Sequence, residues 1–91
     1  MTYSWDEAKR QSNLKKHRLD FRDAHFVFDG LTLTFEDNRF DYTEQRFITI
    51  GFLAGEFVVI AHSEVESVTR IISMRKATKY EETLFFQAFG D

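Results

Sequence analysis

The chain has 91 residues, a length typical of one domain, which we place at residues 1–91; its 15 Asp and Glu outnumber its 12 Lys and Arg, for a net charge of −3. The absence of Cys excludes disulfides and thiolate metal sites and is typical of a reducing compartment. No apolar run reaches the roughly 20 residues that span a bilayer, and the first ten residues lack the apolar segment of a signal peptide. We therefore expect a cytoplasmic protein without a membrane segment.

The first elements are a short strand and two helices. Tyr3–Trp5 is compatible with a strand, and a helix is predicted to follow, with Ser4 and Asp6 as alternative N-caps and an end near His17. A second helix is predicted after Asp20, because apolar residues recur near the 3.6-residue helical period up to an Asp-Gly stop at 29–30.

The rest of the chain alternates in the manner of strands before a last helix. Strands are predicted at residues 31–35, 46–53, 56–62 and 67–74, with Ala54-Gly55 as a hairpin turn. Thr78 and Glu81 have the spacing of a capping box for a helix that ends near Phe89. The order predicts an α+β fold: an antiparallel meander with two N-terminal helices and one C-terminal helix on one face of the sheet.

Positive charge is concentrated at the junction of the last strand and the last helix. Arg70, Arg75, Lys76 and Lys79 fall within ten positions that contain no acid. Cations at a helix N-terminus oppose the helix dipole, so helix stability does not explain them. A phosphate or another anion would be well placed there. The alternative is a solvated surface with a few ion pairs.

Three segments resemble those of a known family of proteins. "WDEAKRQSNLKKH", "RFITIG" and "RIISMRKATKYE" occur in the order found in the BrnT family of type II toxins, from Trp5 to about Glu81. The resemblance implies a RelE-like fold and a ribonuclease toxin that acts on RNA. It also implies a BrnA-like ribbon-helix-helix antitoxin, a hetero-oligomer with it, and contact with operator DNA only through the antitoxin.

The sequence departs from the family pattern at three places. Arg18 stands where the family commonly has Gly, so the end of the first helix is expected to differ. Met74 replaces a smaller residue, and the turn "HSEVES" is more acidic than in many relatives, which would weaken RNA binding at that edge.

RNA can be cleaved without a metal or another cofactor when the 2′-OH attacks the adjacent phosphate. This reaction needs proton transfer and positive charge on the phosphorane, for which His and Arg are suited. We identify Arg70 and Arg75 as candidates for the charge, and His62, oriented by Glu64, or His17 as candidates for proton transfer. A regular strand sends residues 70 and 75 to opposite faces, so either the strand ends or bulges between them or only one Arg reaches the phosphate. His62 and Glu64 could equally be a strand-end histidine and a turn acid.

Other polar residues are candidates for substrate binding. Lys9, Asn13 and Lys16 share one helix face with His17, which could contact RNA or simply face solvent. We add Arg46, Ser73, Lys76 and Lys79 as phosphate or substrate contacts, with an ion pair to Glu44 or Asp41 as the alternative for Arg46.

The leading hypothesis is a metal-independent endoribonuclease whose cations from both ends of the chain converge in one cleft. The alternative is a non-catalytic RNA-binding protein or the corepressor half of a DNA-binding complex. A metal nuclease is disfavoured, because His62 and Glu64 have no further ligands at suitable spacing. The apolar tail of the last helix, "LFFQAF", exceeds what one buried face needs and could dock the antitoxin or a second copy.

Overall fold

The computed structural model describes residues 2–90 and contains one five-stranded sheet and three α-helices. The elements run in the order β1 (Thr2–Trp5), α1 (Glu7–His17), a 3₁₀ turn (Phe21–Asp23), α2 (Ala24–Phe28), β2 (Leu33–Glu36), β3 (Phe47–Leu53), β4 (Glu56–Val65), β5 (Val68–Lys76) and α3 (Lys79–Ala88). The predicted α+β class and the order of elements are confirmed, and the arrangement is compatible with a RelE-like fold. Within residues 2–90, no helix is long and apolar enough to cross a membrane.

The sheet is mixed rather than purely antiparallel. Its strand order is β1-β5-β4-β3-β2. Strands β2 to β5 form the predicted antiparallel meander, while β1 pairs with β5 in parallel. The parallel pairing is possible because residues 6–67, with α1, α2 and strands β2 to β4, connect β1 to β5, and such a pairing needs a long connection rather than a tight turn. Strand β4 also runs three residues beyond the predicted end at His62, to Val65.

The helices pack on both faces of the sheet, so the expectation that they share one face is wrong. The side covered by α1 and α2, called here the N-helix face, buries Phe21, Ala24, Val27, Val58, Ile60, Ile71 and Met74. The opposite side, the C-helix face, buries Ile48, Ile50 and Val59 against Phe85 of α3. Each Val, Ile, Phe or Met side chain among these contributes roughly 1.5–3 kcal/mol on full burial. Because α3 is short, part of the C-helix face stays open.

Local signals fix the ends of the helices. The Asp6 carboxylate, not Ser4, caps α1 by accepting a hydrogen bond from the Lys9 amide. Arg18 ends α1 with φ of 60°, a conformation that places its amide on the Leu14 carbonyl. This conformation costs a non-glycine residue about 1–2 kcal/mol, and it is the one that Gly commonly adopts at a helix end. Thr78 and Glu81 form the predicted capping box of α3.

Candidate functional site

A β-bulge in β5 decides where its arginines lie. Ala61 of β4 pairs with Ser73 and His62 pairs with Ile71, so Ile72 is an extra residue without a partner in β4. The extra residue shifts the alternation of side chains by one. Arg70, Ser73 and Arg75 therefore all belong to the C-helix face, in the rows of Ser63, Ala61 and Val59. The bulge was one of the two solutions that the sequence left open.

Arg75 is held in a fixed orientation by the first turn of α3. Its Nη1 and Nη2 donate to the two carboxylate oxygens of Glu81 at 2.8 and 2.7 Å, and Nη1 also approaches the Lys76 carbonyl at 3.3 Å. The Glu81 pKa falls to about 2, chiefly through these bonds. The Arg75 side chain is 34% exposed. Its Nε–H and one Nη2–H have no partner among residues 2–90, so the lateral fork of the guanidinium is free.

Arg75 opens into a hollow of about 330 Å³ between α3 and the loop that follows β2. We call it the Arg75 hollow. Its lining consists of Phe35, Glu36, Asp37, Asn38, Arg39, Ile48, Arg75, Tyr80, Glu81 and Leu84. Arg39 donates from Nε and Nη2 to the Asp37 carboxylate at 2.8 and 2.9 Å. Hydrogen bonds to Glu81 raise the Arg75 pKa, whereas the positive charge of Arg39 lowers it. The guanidinium groups of Arg39 and Arg75 are therefore close enough to repel each other.

The loop at residues 37–46 is organised around one buried carboxylate. Asp37 accepts hydrogen bonds from Arg39 and from the Tyr42 hydroxyl, and its pKa falls to about 2 with the Arg39 bonds as the main cause. The Arg46 guanidinium in turn lies over the Tyr42 ring, with its central carbon Cζ 4.2 Å from the ring centroid. Neither Glu44 nor Asp41 pairs with Arg46 within 4 Å among residues 2–90, and its buried Nε has no hydrogen-bond partner there. Its charge is therefore not neutralised locally by a carboxylate.

Arg70 lines a second hollow on the same face of the sheet. This Arg70 hollow has a volume of about 340 Å³ and is formed by Ser4, Glu44, Ser63, Val65, Glu66, Val68 and Arg70. Arg70 is exposed and, within residues 2–90, has no carboxylate within 4 Å. Residues 37–46 border both hollows, because Asp37 lies in one and Glu44 in the other. The two arginines thus face solvent along one side of the sheet.

His62 lies on the opposite face and does not meet the arginines. It is 2% exposed, between the rings of Phe28 and Phe47. Its Nε2 is 2.7 Å from the Thr49 hydroxyl. Glu64 comes within 2.7 Å of Nδ1, yet outside the direction of a hydrogen bond from that atom. The proximity to Glu64 agrees with the sequence prediction, but the burial does not suit proton exchange with RNA, so we assign His62 to the core.

Burial of His62 predicts a loss of stability on mild acidification. Its pKa lies below the ordinary 6.5, because desolvation of the imidazolium outweighs the opposing effect of Glu64. Below pH 6.5, His62 binds a proton in the unfolded chain but stays neutral in the folded chain. The free energy of unfolding should therefore fall between pH 6.5 and 5. Urea titrations at several pH values measure this slope.

The control for this prediction is His62→Gln, which keeps a polar group near Thr49 but does not titrate. Its free energy of unfolding should be flatter over the same interval. His17 and His25 are present in both proteins and cancel in the comparison. Equal slopes for both proteins would contradict a neutral, buried His62.

Asn13 is buried and has a structural role. Its amide donates to the Met74 and Leu19 carbonyls at 2.9 and 3.1 Å, and its carbonyl oxygen accepts from the Met74 amide at 3.2 Å. Strand β1 leaves β5 after Trp5 pairs with Ile71. The Asn13 side chain thus continues the ladder where β1 ends. This contact accounts for Asn13 without RNA, contrary to the substrate-binding role predicted.

The other predicted cations do not enter the two hollows. Lys9, Lys16 and His17 of α1 line neither of them, so the expected convergence of α1 with the arginines of β5 is absent from both. Lys76 is in the row of Val58 on the N-helix face and pairs with Glu56 at 3.4 Å. Lys79 is exposed in the first turn of α3, next to Tyr80. The cations of α1 therefore share neither hollow with Arg70 or Arg75.

A larger hollow is not the best candidate for a phosphate. It measures about 710 Å³ at the β3–β4 turn and is lined by Arg18, Leu19, Asp23, Phe26, Phe52, Leu53, Ala54 and Glu56. Neither Arg70 nor Arg75 lines it, so it lacks the cations that β5 brings to the C-helix face. Within residues 2–90, no group of three or more acids and histidines could hold a metal ion.

Sequence reasoning missed the residues that accompany Arg75 in its hollow, among them Arg39 and Tyr80. Arg39 belongs to a polar segment that was interpreted only as a turn, and Tyr80 to a helix start interpreted only as a cap. The Asp-x-Arg spacing at residues 37–39 permits the ion pair observed, but it is too common to single out a site. Only the packing of the loop against α3 brings both residues to Arg75.

Comparison with known families agrees with the quoted segments. The family model described as "Ribonuclease toxin, BrnT, of type II toxin-antitoxin system" matches residues 5–81, which is most of the chain. No curated protein matches the chain significantly.

Proposed function

The chain belongs to the BrnT family of type II toxin-antitoxin ribonuclease toxins, and we propose from this that it cleaves RNA on the C-helix face, without a metal, by attack of the 2′-OH on the adjacent phosphate. The new bond between the 2′-oxygen and phosphorus replaces the bond to the 5′-oxygen; the 2′-OH proton passes to water, and the 5′-oxygen takes a proton from water and leaves as a 5′-OH. The observation that carries the proposal is the bulge at Ile72, which gives Arg70, Ser73 and Arg75 one common face. Without the extra residue, Arg70 would lie on the other side of the sheet. The reaction needs several cations at one phosphate, which this arrangement provides.

Arg75 is the proposed cation for the phosphorane. Glu81 binds the terminal fork of the guanidinium and leaves the lateral fork free for two phosphate oxygens. Because the side chain is already oriented, little rotamer freedom is lost when the transition state forms. Glu81 therefore acts as a positioning residue. With a pKa of about 2, it is a weak base at neutral pH and poorly suited to take the 2′-OH proton.

Arg46, Arg70 and Ser73 are proposed to hold the RNA backbone. Arg70 of β5 pairs with Ser63 of β4. On the other side of β4, Phe47 of β3 pairs with His62, so Arg46, which precedes Phe47, comes next to Ser63. Arg46 and Arg70 thus flank Ser63 two strand spacings apart, roughly 9.5 Å between backbones. Both can reach one segment of a single strand. Neither has a carboxylate partner within 4 Å in the described chain, so both offer a full charge to phosphate.

The family places the protein in a toxin-antitoxin pair, so a protein antitoxin is its expected partner. We propose a BrnA-like ribbon-helix-helix antitoxin, a hetero-oligomer that contacts operator DNA only through it, and action in the cytoplasm. The proposal rests on the family resemblance of the three segments and on the absence of Cys.

Incubation of the purified protein with single-stranded RNA, with and without EDTA, tests the proposal. We expect cleavage in both conditions, with products that end in a 2′,3′-cyclic phosphate and a 5′-OH. RNA with 2′-O-methyl groups is the matched control and should stay intact, because it lacks the attacking hydroxyl. Loss of cleavage in EDTA would instead indicate metal chemistry. Binding of RNA without cleavage would favour the non-catalytic alternative.

A further inference from the structure

The Arg75 hollow has aromatic walls that the fold does not need. Tyr80 is 71% exposed and Phe35 is 39% exposed, although both are large apolar side chains. Tyr80 lies in the first turn of α3, and Phe35 lies on β2, at the edge of the sheet. No hydrogen bond within residues 2–90 involves the Tyr80 hydroxyl. Neither packing nor hydrogen bonding therefore explains why a tyrosine occupies this position.

The surroundings of these rings combine apolar and polar groups. Ile48 is buried and Leu84 is half-buried, and both contribute to the hollow with the two rings. Asn38 also lines the hollow, and its amide can both donate and accept a hydrogen bond. Arg75 and Arg39 supply the positive charge within the same volume of about 330 Å³. This volume lies at the small end of ligand pockets, which begin near roughly 300 Å³.

From this combination we infer that the Arg75 hollow is a nucleobase subsite, in which Tyr80 stacks on one base of the RNA while Arg75 and Arg39 hold the phosphate attached to that nucleotide. The inference rests on the proposed function, since the Arg75 hollow belongs to the C-helix face on which RNA is proposed to be cleaved. Single-stranded RNA is bound by splayed bases that stack on exposed aromatic side chains beside backbone cations. A simple anion would be bound by the two arginines and would not use the aromatic rings. An apolar peptide would use the rings and would not use the arginines.

Phe35 and Asn38 have secondary roles in this subsite. Phe35 pairs with Ile48 across β2 and β3, which fixes its position on the C-helix face. Its partly exposed ring borders the base on the side of the sheet edge. Asn38 belongs to the loop at residues 37–46 and is the polar side chain of the hollow best suited to a base edge. Every base has a π-face, so stacking on Tyr80 gives affinity for any of the four bases.

Binding of a short 2′-O-methyl RNA, followed by fluorescence anisotropy, tests the subsite without interference from cleavage. Tyr80→Ala should weaken binding roughly 5- to 150-fold, as loss of one base stack does. Tyr80→Phe keeps the ring and should bind within about twofold of the unchanged protein. Phe26→Ala is the matched control, because Phe26 is also a well-exposed aromatic residue, at 60%, but lines the separate hollow at the β3–β4 turn.

A ligand without a base provides the second arm of the test. Ribose 5-phosphate, titrated by NMR, should bind the unchanged protein and the Tyr80→Ala variant equally, whereas a nucleoside 3′-monophosphate should bind the variant more weakly. A Tyr80→Phe variant as weak as Tyr80→Ala would assign the role to the hydroxyl and overturn stacking. Unchanged RNA binding by Tyr80→Ala would overturn the subsite.

The outcomes separate this inference from the proposed function. Cleavage of RNA by the unchanged protein, together with unaffected binding by Tyr80→Ala, would refute only the subsite. Weak binding by Tyr80→Ala, in a protein that cleaves no RNA, would refute only the nuclease.

Discussion

Arg75→Ala is expected to lower the rate of RNA cleavage by about 10²- to 10³-fold, the range found when one preorganised charge-stabilising donor is removed. The reason is geometric. The variant loses the free lateral fork, which is the only part of the guanidinium that Glu81 and Lys76 leave available among residues 2–90. Single-turnover cleavage of a labelled RNA measures the effect on the chemical step.

Three further variants separate charge, orientation and folding. Arg75→Lys keeps the charge but cannot bind two phosphate oxygens in parallel, so it should still lose at least about tenfold. Glu81→Gln leaves Arg75 present but less firmly held, and should lose less than Arg75→Ala. Thermal unfolding of each variant shows whether α3 remains docked.

His62→Gln is the matched control on the other face of the sheet. It should cleave RNA at nearly the rate of the unchanged protein at neutral pH, because His62 is buried away from both hollows. A large loss in folded His62→Gln, with little loss in Arg75→Ala, would move the site to the N-helix face and contradict the proposed function.

Asn13→Ala should cause the largest loss of stability of any exchange considered for this chain. It removes three hydrogen bonds and leaves the Met74 amide, the Met74 carbonyl and the Leu19 carbonyl without partners. Buried groups left unpaired cost about 1–3 kcal/mol each. We expect a total near 3 kcal/mol, since water will replace part of the loss, which lowers Tm by on the order of 15 °C in a domain of this size.

Two companion variants make the Asn13 prediction specific. Asn13→Asp keeps the acceptor for the Met74 amide but turns a carboxylate toward two carbonyl oxygens, so it should be at least as unstable. Lys9→Ala, on the same helix face but exposed, should change stability by less than about 0.5 kcal/mol. A Tm near that of the unchanged protein for Asn13→Ala, with weakened RNA binding, would restore Asn13 to the substrate contacts.

Neighbouring residues of one segment acquired different roles for reasons that lie outside the segment. In "RIISMRKATKYE", Arg75 and Lys76 are adjacent and both positively charged, yet Arg75 faces the Arg75 hollow and Lys76 pairs with Glu56 on the other side. The same applies to His62 and Ser63 in β4, which alternate between the buried core and the Arg70 hollow. A residue's type suggested its chemistry, while the face of the sheet decided whether it could be used.

The sequence by itself determined the α+β class, the order of the elements, both N-terminal helices, the capping box of α3 and the family, because these depend on local periodicity, on caps and on contiguous motifs. The tertiary structure decided the parallel place of β1, the two-sided packing of the helices, the bulge at Ile72 and the membership of the Arg75 hollow. These features depend on which strands become neighbours and on their register. A shift of one residue moves every following side chain to the opposite face, and no local pattern in the chain encodes it.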